Sequence, residues 1–340
     1  MQVIILLLPL AAAAYSPPGV LQQLVDEKRR EVERLKKLPE NREDGSWYLR
    51  LSYPATTASY TLGRAIGWKR EELVVLADLK RASPTGQIGR TVEVNPGLVI
   101  QDSLADVKAL GCNGALVCTD LASHGGSYRD LKAATMFAKA DAASIGSPTA
   151  DQTFPIVAKD LIIDPLQIAR ASCEGASAVV LVAAACLPDL PLLLDTCTVM
   201  GVEALVEVHT PDEVTVAAEC AAGMLLVNER DRATGELVVG QAAAIAPLLP
   251  PDAQCLACGG IARIDQVRTL RRAGYDGIVL GRALAAEPKA VQALMGAIRA
   301  EPTTQRATEA IRVPVRSRPQ DDQAVSEAED PIPEPDEFGI

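Results

Sequence analysis

The amino-acid sequence predicts an α/β fold, a (β/α)8 barrel with an extra N-terminal helix and a disordered acidic C-terminal tail. Three observations carry this expectation. First, eight short apolar or β-branched runs recur, at 74–79, 115–118, 156–158, 178–182, 204–208, 224–227, 254–257 and 277–280. Second, stretches with helical spacing separate them, such as 165–174, 211–222 and 264–273, and 287–299 follows the last run. Eight alternations of this kind suit a closed parallel barrel better than an open sheet. Third, charge gathers where the runs end. That is costly unless the end opens into a site, and in a parallel barrel the site lies at the C-terminal ends of the strands.

In chain order, residues 3–14 are an uncharged apolar run closing on four alanines, too short to span a bilayer comfortably. It reads as the apolar core and cleavage zone of a targeting segment, residues 1–15. Val20, Leu21, Leu24, Val25, Val32, Leu35 and Leu38 mark an amphipathic helix over 19–38. Residues 39–72 are mixed, with Pro, Gly and Asn breaks. An Arg-Ala-Ser-Pro turn leaves the first strand. Asp164-Pro165, Thr210-Pro211 and Glu287-Pro288 each read as a cap followed by Pro at the first helical position. Gly111, Gly175, Gly201, Gly223 and Gly274 fall near helix ends, just before the next strand. The stretch 140–153, rich in Ser, Gly, Pro and Asp, reads as an enlarged loop. The barrel with its helical extension is expected over 16–305. The remainder, 306–340, is an acidic, Pro-rich tail of disordered composition.

The 340 residues allow one large barrel or two smaller domains, and 48% hydrophobic content is ample for a core. Eight acids in 319–340 account for most of the net charge of -11, so the folded part is nearly balanced. Nothing points to a nucleic-acid surface. Cys118, Cys173, Cys186, Cys197 and Cys220 lie in apolar or Ala-rich segments and read as small core residues. Cys255 and Cys258 form a Cys-x-x-Cys. With no second pair and only two histidines, zinc is not expected.

The strand ends supply the candidate chemistry. A period of two puts Asp78 and Lys80 on one face of the first strand. Other strands end in Thr119-Asp120, Lys159-Asp160, Glu207 with His209, and Asn228-Glu229-Arg230-Asp231. Two lysines and two carboxylates, Lys80, Lys159, Asp78 and Glu207, converging on one mouth suit acid–base chemistry. Gly259-Gly260 after the seventh strand and Gly281 after the eighth can present backbone N–H groups to a phosphate. The Arg282 guanidinium, beside them, is expected to join that contact. His209 precedes Thr210-Pro211 and reads as a loop or cap residue.

These residues resemble the indole-3-glycerol-phosphate synthase family from about Val20 to Ala300. Ala77-Asp78-Leu79-Lys80-Arg81-Ala82-Ser83-Pro84 looks like the family's Ala-Glu-x-Lys-Arg-x-Ser-Pro signature. Pro155-Ile156-Val157-Ala158-Lys159-Asp160 is similar to its third strand, Ala204-Leu205-Val206-Glu207-Val208-His209 to its fifth, and Asn228-Glu229-Arg230-Asp231 to its sixth. The resemblance implies a cofactor-free reaction. The substrate, 1-(2-carboxyphenylamino)-1-deoxyribulose 5-phosphate, is closed to an indole ring with loss of carbon dioxide and water. It implies Lys159 as general acid, Glu207 as general base, Lys80 as holder of the substrate's carboxylate, and Asp78 beside them. Asn228, Ser83, Pro84, Arg230 and His124 would face the substrate. Gly259, Gly260, Gly281 and Arg282 would hold the phosphate. The only partner implied is this small phosphorylated aromatic substrate, for a monomer or weak oligomer with no membrane after processing.

Four positions depart from the family's pattern. Asp78 replaces a Glu, Cys258-Gly259-Gly260 replaces Glu-Ser-Gly, His124 stands where an aromatic is expected, and Arg282 stands where Ser or Glu is usual. The losses at Cys258 and His124 motivate an alternative, a catalytically weakened paralogue that binds a phosphorylated metabolite or a partner protein. A third reading, a phosphoribosylanthranilate isomerase, is disfavoured by the Lys-Arg-Ala-Ser-Pro segment and the N-terminal helix.

The order Ala12-Ala13-Ala14-Tyr15-Ser16-Pro17 resembles the Ala-Phe-Ala-Pro type cleavage motif of algae with secondary plastids, with Tyr15 for Phe. Delivery to a reducing plastid would also reconcile an entry signal with unpaired cysteines. A fluorescent protein fused behind about the first fifty residues, enough for a signal and a transit segment, is expected to enter a plastid. Secretion or a cytosolic signal would contradict this.

Overall fold

The computed structural model describes residues 19–55, 60–67, 72–84, 91–144, 154–232, 234–286 and 288–300. The expected targeting segment, the tail from Ala307, the Glu287 cap and positions 145–153 of the enlarged loop lie outside them.

The strands are β1 (Val74–Leu79), β2 (Ala82–Pro84), β3 (Thr91–Glu93), β4 (Gly114–Cys118), β5 (Ile156–Lys159), β6 (Ala178–Val182), β7 (Glu203–Val208), β8 (Met224–Asn228), β9 (Gln254–Cys258) and β10 (Gly277–Leu280). The helices are α1 (Val20–Leu35), α2 (Ser46–Ser52), α3 (Thr61–Ile66), α4 (Ile100–Ala109), α5 (Leu121–His124), α6 (Tyr128–Ser144), α7 (Pro165–Cys173), α8 (Ala183–Cys186), α9 (Leu190–Met200), α10 (Pro211–Glu219), α11 (Gln241–Ile245), α12 (Ile264–Arg272) and α13 (Pro288–Ala300). Eight parallel strands close in the order β1-β10-β9-β8-β7-β6-β5-β4, a TIM barrel. Each of the eight expected runs is a barrel strand, shifted by a residue at most at either end.

Side chains alternate across a strand, so every second residue points into the barrel. Leu76, Leu116, Val157, Val180, Leu205, Leu226, Leu256 and Val279, one from each strand, are buried in the inner core. Two residues further along, at the C-terminal ends, the inward positions are Asp78, Cys118, Lys159, Val182, Glu207, Asn228, Cys258 and Gly281. One register thus sets both the apolar filling and the polar mouth above it. A second apolar layer, between strands and helices, holds the outward positions, such as Ala77, Val117 and Val206.

Both ends of the barrel are closed by the N-terminal extension. Leu62 and Ile66 of α3 belong to the inner core. The Glu203 carboxylate accepts from the N–H groups of Leu62 (2.7 Å) and Gly63 (2.8 Å), and Gln254 Nε2 donates to the Gly63 and Gly67 carbonyls. Glu203 and Gln254 open β7 and β9, so α3 plugs the N-terminal end. At the other end α1 lies over the mouth, with Leu21 and Val25 in the inner core.

The caps at Asp164 and Thr210 form as expected, each accepting from a helix N–H. Four sequence expectations change. Residues 140–144 are the last turn of α6, not loop. The segment after β1 is not a simple turn: Ala82–Pro84 pairs antiparallel with Thr91–Glu93, and three-residue strands are too short to show a pattern. Cys173 is exposed at the end of α7 and Cys220 is half-exposed, while the other six thiols are buried. The left-handed residue ending α10 is Ala221 (φ 56°) rather than Gly223. Cys255 and Cys258, three residues apart on β9, fall in the outer and inner cores, so the two thiols do not share a face.

Candidate active site

Asp78 is 9% exposed and lies between two ammonium groups. Its Oδ2 accepts from Lys80 Nζ (2.5 Å) and Lys159 Nζ (2.9 Å). Burial alone would raise the Asp78 pKa, but the two lysines hold it well below the usual carboxylate range. Lys159 is the mirror case. Burial disfavours its charge, and the Asp78 carboxylate outweighs burial, so its pKa stands above the ordinary lysine value. The space beside this pair exists because position 281 is glycine: a Cβ there would sit 3.1 Å from Asp78 Oδ2 and 3.5 Å from Lys80 Nζ.

Across the mouth, both oxygens of Glu207 are engaged. Arg232 donates from Nε to Oε1 and from Nη2 to Oε2 (2.6 Å), and Asn228 Nδ2 donates to Oε1 (2.9 Å). Burial pushes the Glu207 pKa up, but Arg232, Lys159 and Asn228 bring it down to about 2. The Cys258 thiol, buried and facing Glu207, is pushed above its ordinary value and stays protonated. His209 Nδ1 donates to the Asn228 carbonyl (2.6 Å), fixing the backbone at the end of β8. That is a positioning role, as its loop context implies.

Lys28 of α1 is buried against three carboxylates: Glu31 (2.8 Å), Asp160 (2.8 Å) and Asp120 (3.1 Å). Burial disfavours its charge, and the three acids more than restore it. Asp160 also accepts from Thr119 Oγ1 (2.8 Å), which ties α1 to the ends of β4 and β5. Under α1 lies a cavity of about 290 Å3, with Leu21, Leu161 and Val182 as apolar wall and Lys159, Arg232 and His124 facing it. His124 Nδ1 is 3.7 Å from Asp120 Oδ2, beyond hydrogen-bond range, and is buried with no partner among the described residues. Burial, reinforced by Lys159, Lys80 and Arg232, lowers the His124 pKa despite Asp120, so the ring is neutral.

The glycines form the opposite rim. Gly259 (φ 95°) and Gly260 (φ 68°) are left-handed, where a side chain is strained, and a Cβ on Gly259 would meet Asn228 Oδ1 at 2.8 Å. Arg282 Nη2 donates to Ser83 Oγ at 3.4 Å, which draws the β2–β3 hairpin to the end of β10. Arg230 donates to the Gly235 carbonyl (2.7 Å) and feels the charges of Arg282 and Arg232, which, with burial, lower its pKa. Pro84 pairs with Thr91 across the hairpin. Arg81 is structural: it holds Asp130 through both terminal nitrogens (2.8 and 2.9 Å).

The structure thus gathers Asp78, Lys80, Lys159, Glu207 and Asn228 in one mouth. It places His124 on the wall of the cavity and Ser83 against Arg282. Two functional candidates were missed in the sequence. Lys28 had a signal: the buried face of α1 runs Leu21, Val25, Lys28, Val32, Leu35, with a charge at a core position. Arg232 had none, since it follows β8 in a loop without periodicity.

The Glu207 environment makes a linkage prediction. Its folded pKa, about 2, lies below the ordinary 4.5. The stability it contributes is therefore complete above pH 4.5 and is lost as the pH falls toward 2. The stability difference between wild type and Glu207→Gln should shrink by up to about 3 kcal/mol across that window. Urea unfolding at stepped pH reads this, and a difference independent of pH would contradict it.

The sequence profile of the family described as indole-3-glycerol phosphate synthase matches residues 21–295. The chain is 29% identical over 265 residues to the indole-3-glycerol phosphate synthase of Chlorobium phaeovibrioides, covering 78% of this chain and 93% of that protein. It is 29% identical over 282 residues to that of Syntrophobacter fumaroxidans, covering 82% and 97%. To that of Roseiflexus sp. it is 31% identical over 279 residues, covering 79% and 94%. With the barrel, the mouth and these matches together, the chain belongs to the indole-3-glycerol phosphate synthase family.

Proposed function

We propose that the protein catalyses indole-3-glycerol phosphate synthesis, the closure of 1-(2-carboxyphenylamino)-1-deoxyribulose 5-phosphate with loss of carbon dioxide and water. It is then a carbon–carbon lyase of tryptophan biosynthesis. One observation carries this reading: Lys159, Glu207, Lys80 and Asn228 occupy adjoining positions at one mouth, in a chain of this family. The comparisons lend no support to a weakened paralogue.

Lys159 is the general acid. Its ammonium has one described hydrogen bond, to Asp78, and three N–H donors, so two remain for the substrate ketone. The ring carbon bearing the carboxylate attacks the ketone carbon as Lys159 protonates the oxygen. Carbon dioxide then leaves, and the electrons of its bond restore the aromatic ring. The new hydroxyl departs as water with a proton that Lys80 helps deliver. Glu207 takes a proton from the carbon beside the ring nitrogen. Before that, Lys80 holds the substrate's carboxylate, and Asn228 orients its hydroxyls. The phosphate rests on the N–H groups at Gly259, Gly260 and Gly281, with Arg282 alongside; Ser83, Pro84 and Arg230 close this side. His124, whose Nδ1 has no hydrogen bond among the described residues, offers the aryl ring a flat face.

We place this reaction in a plastid on the strength of the N-terminal run, and read the chain as a monomer or weak oligomer with no membrane or nucleic-acid partner.

Purified protein supplied with the substrate should form an indole, followed by absorbance or fluorescence. Lys159→Met and Glu207→Gln should each lower kcat by roughly 10²- to 10⁴-fold with an unchanged circular dichroism spectrum. Full activity in either variant would overturn its assigned role, and no indole from the wild type would overturn the function.

A further inference from the structure

Five cations line the 290 Å3 cavity; Arg30 and Arg34 are exposed on α1, and of the three that are buried or half-buried, one has donors to spare among the described contacts and no substrate contact assigned. The three N–H donors of Lys28 are matched by three carboxylates. Lys159 is held by Asp78. Among the described residues, Arg232 donates from Nε and Nη2, both to Glu207. A guanidinium has five N–H groups in a planar fork, so the Nη1 edge and one Nη2 hydrogen have no acceptor among the described residues. This group borders the cavity whose apolar wall suits an aryl ring, and Glu207 keeps it in place.

We propose that Arg232 is a second receptor for the substrate's aryl carboxylate, a specificity-determining contact held in position by Glu207. The proposal rests on the function given above. The carboxylate lies on the ring, next to the ring nitrogen, so a ring seated between Leu21, Leu161 and Val182 brings it to the cationic wall that Arg232 and Lys159 form. The division of labour follows from the donors. Lys159 serves the ketone oxygen, Arg232 and Lys80 the carboxylate. Holding Arg232 on Glu207 removes the rotamer freedom that a lone arginine would lose on binding.

The charged and titratable groups around the pair come from several elements. Glu207 is on β7 and Arg232 in the β8 loop, with Lys159 from β5, Cys258 from β9 and Glu213 from α10. Asp78 of β1 and His124 of α5 lie beyond them. Among the groups named here Arg232 is the one guanidinium, and its removal takes a carboxylate-binding fork from the cavity without removing either partner of the Lys159–Asp78 pair.

The test exploits a difference between substrate and product: indole-3-glycerol phosphate has lost the carboxylate. Arg232→Leu should raise KM by on the order of ten- to hundred-fold, the range for a charge-assisted contact. The inhibition constant of added product should change less than three-fold by the same argument. Arg232→Lys, which keeps the charge without the fork, should recover part of KM. An unchanged KM in Arg232→Leu would overturn the proposal. So would equal rises in KM and in the product constant, which would mean a general collapse of the mouth. If Arg232→Leu does not fold, Arg232→Lys and Arg232→Gln carry the same comparison. Wild-type protein forming no product would count against the function itself, a distinct outcome.

Discussion

A single buried carboxylate shared by two ammonium groups, one buried and one half-buried, holds the mouth of this barrel together. Asp78 accepts from Lys80 and Lys159 through one oxygen, and neither lysine has another carboxylate within hydrogen-bond distance among the described contacts. Removing a partner from such a cluster leaves an uncompensated buried charge, which is far more costly than the pair is stabilising. Lys159 in turn faces Glu207, Glu207 is locked by Arg232 and Asn228, and Asn228 is seated by His209 and by the close approach of Gly259. The geometry of these groups is thus a chain of ion pairs, hydrogen bonds and close contacts that begins at β1 and ends at β9.

Much of this was legible because a parallel barrel converts sequence period into position. Inward residues alternate, so Asp78, Lys159, Glu207 and Asn228 each fall two places after an inner core residue, and the strand runs predicted them. What was not legible depends on tertiary geometry. The β2–β3 hairpin is too short to carry a pattern. Cys173 reads as apolar by its neighbours but faces outward at the end of its helix. Arg232 lies in a loop, and only the folded return of that loop sets it on Glu207. Lys28 was visible as a gap in the apolar stripe of α1, but its three carboxylates come from α1 itself and from two strand ends more than ninety residues away.

The positions that depart from the family's pattern acquire physical reasons. An aspartate at position 78 is short enough to receive both lysines in the space that Gly281 leaves. At β9, Cys258 presents an uncharged thiol to Glu207, so the Glu207–Arg232 pair has no competing carboxylate from that strand. Gly259 is required by its left-handed backbone and by the contact with Asn228. The Lys28 cluster is weak evidence for stability, since desolvation offsets much of its attraction. Its effect is to fix where α1 sits over the mouth, which defines the roof of the cavity beneath it.

The central claim is that Asp78 keeps Lys159 charged inside the protein, and the direct measurement is an NMR titration of 13Cε-labelled lysines in wild type and Asp78→Asn. In the wild type the Lys159 signal should stay in its protonated position beyond pH 10.5, the ordinary lysine value. In Asp78→Asn, burial and the nearby Arg232 act without their main counterweight, and the midpoint should fall below that value by at least about one unit, the size of a lost neighbouring charge. The same midpoint in both proteins would contradict the account.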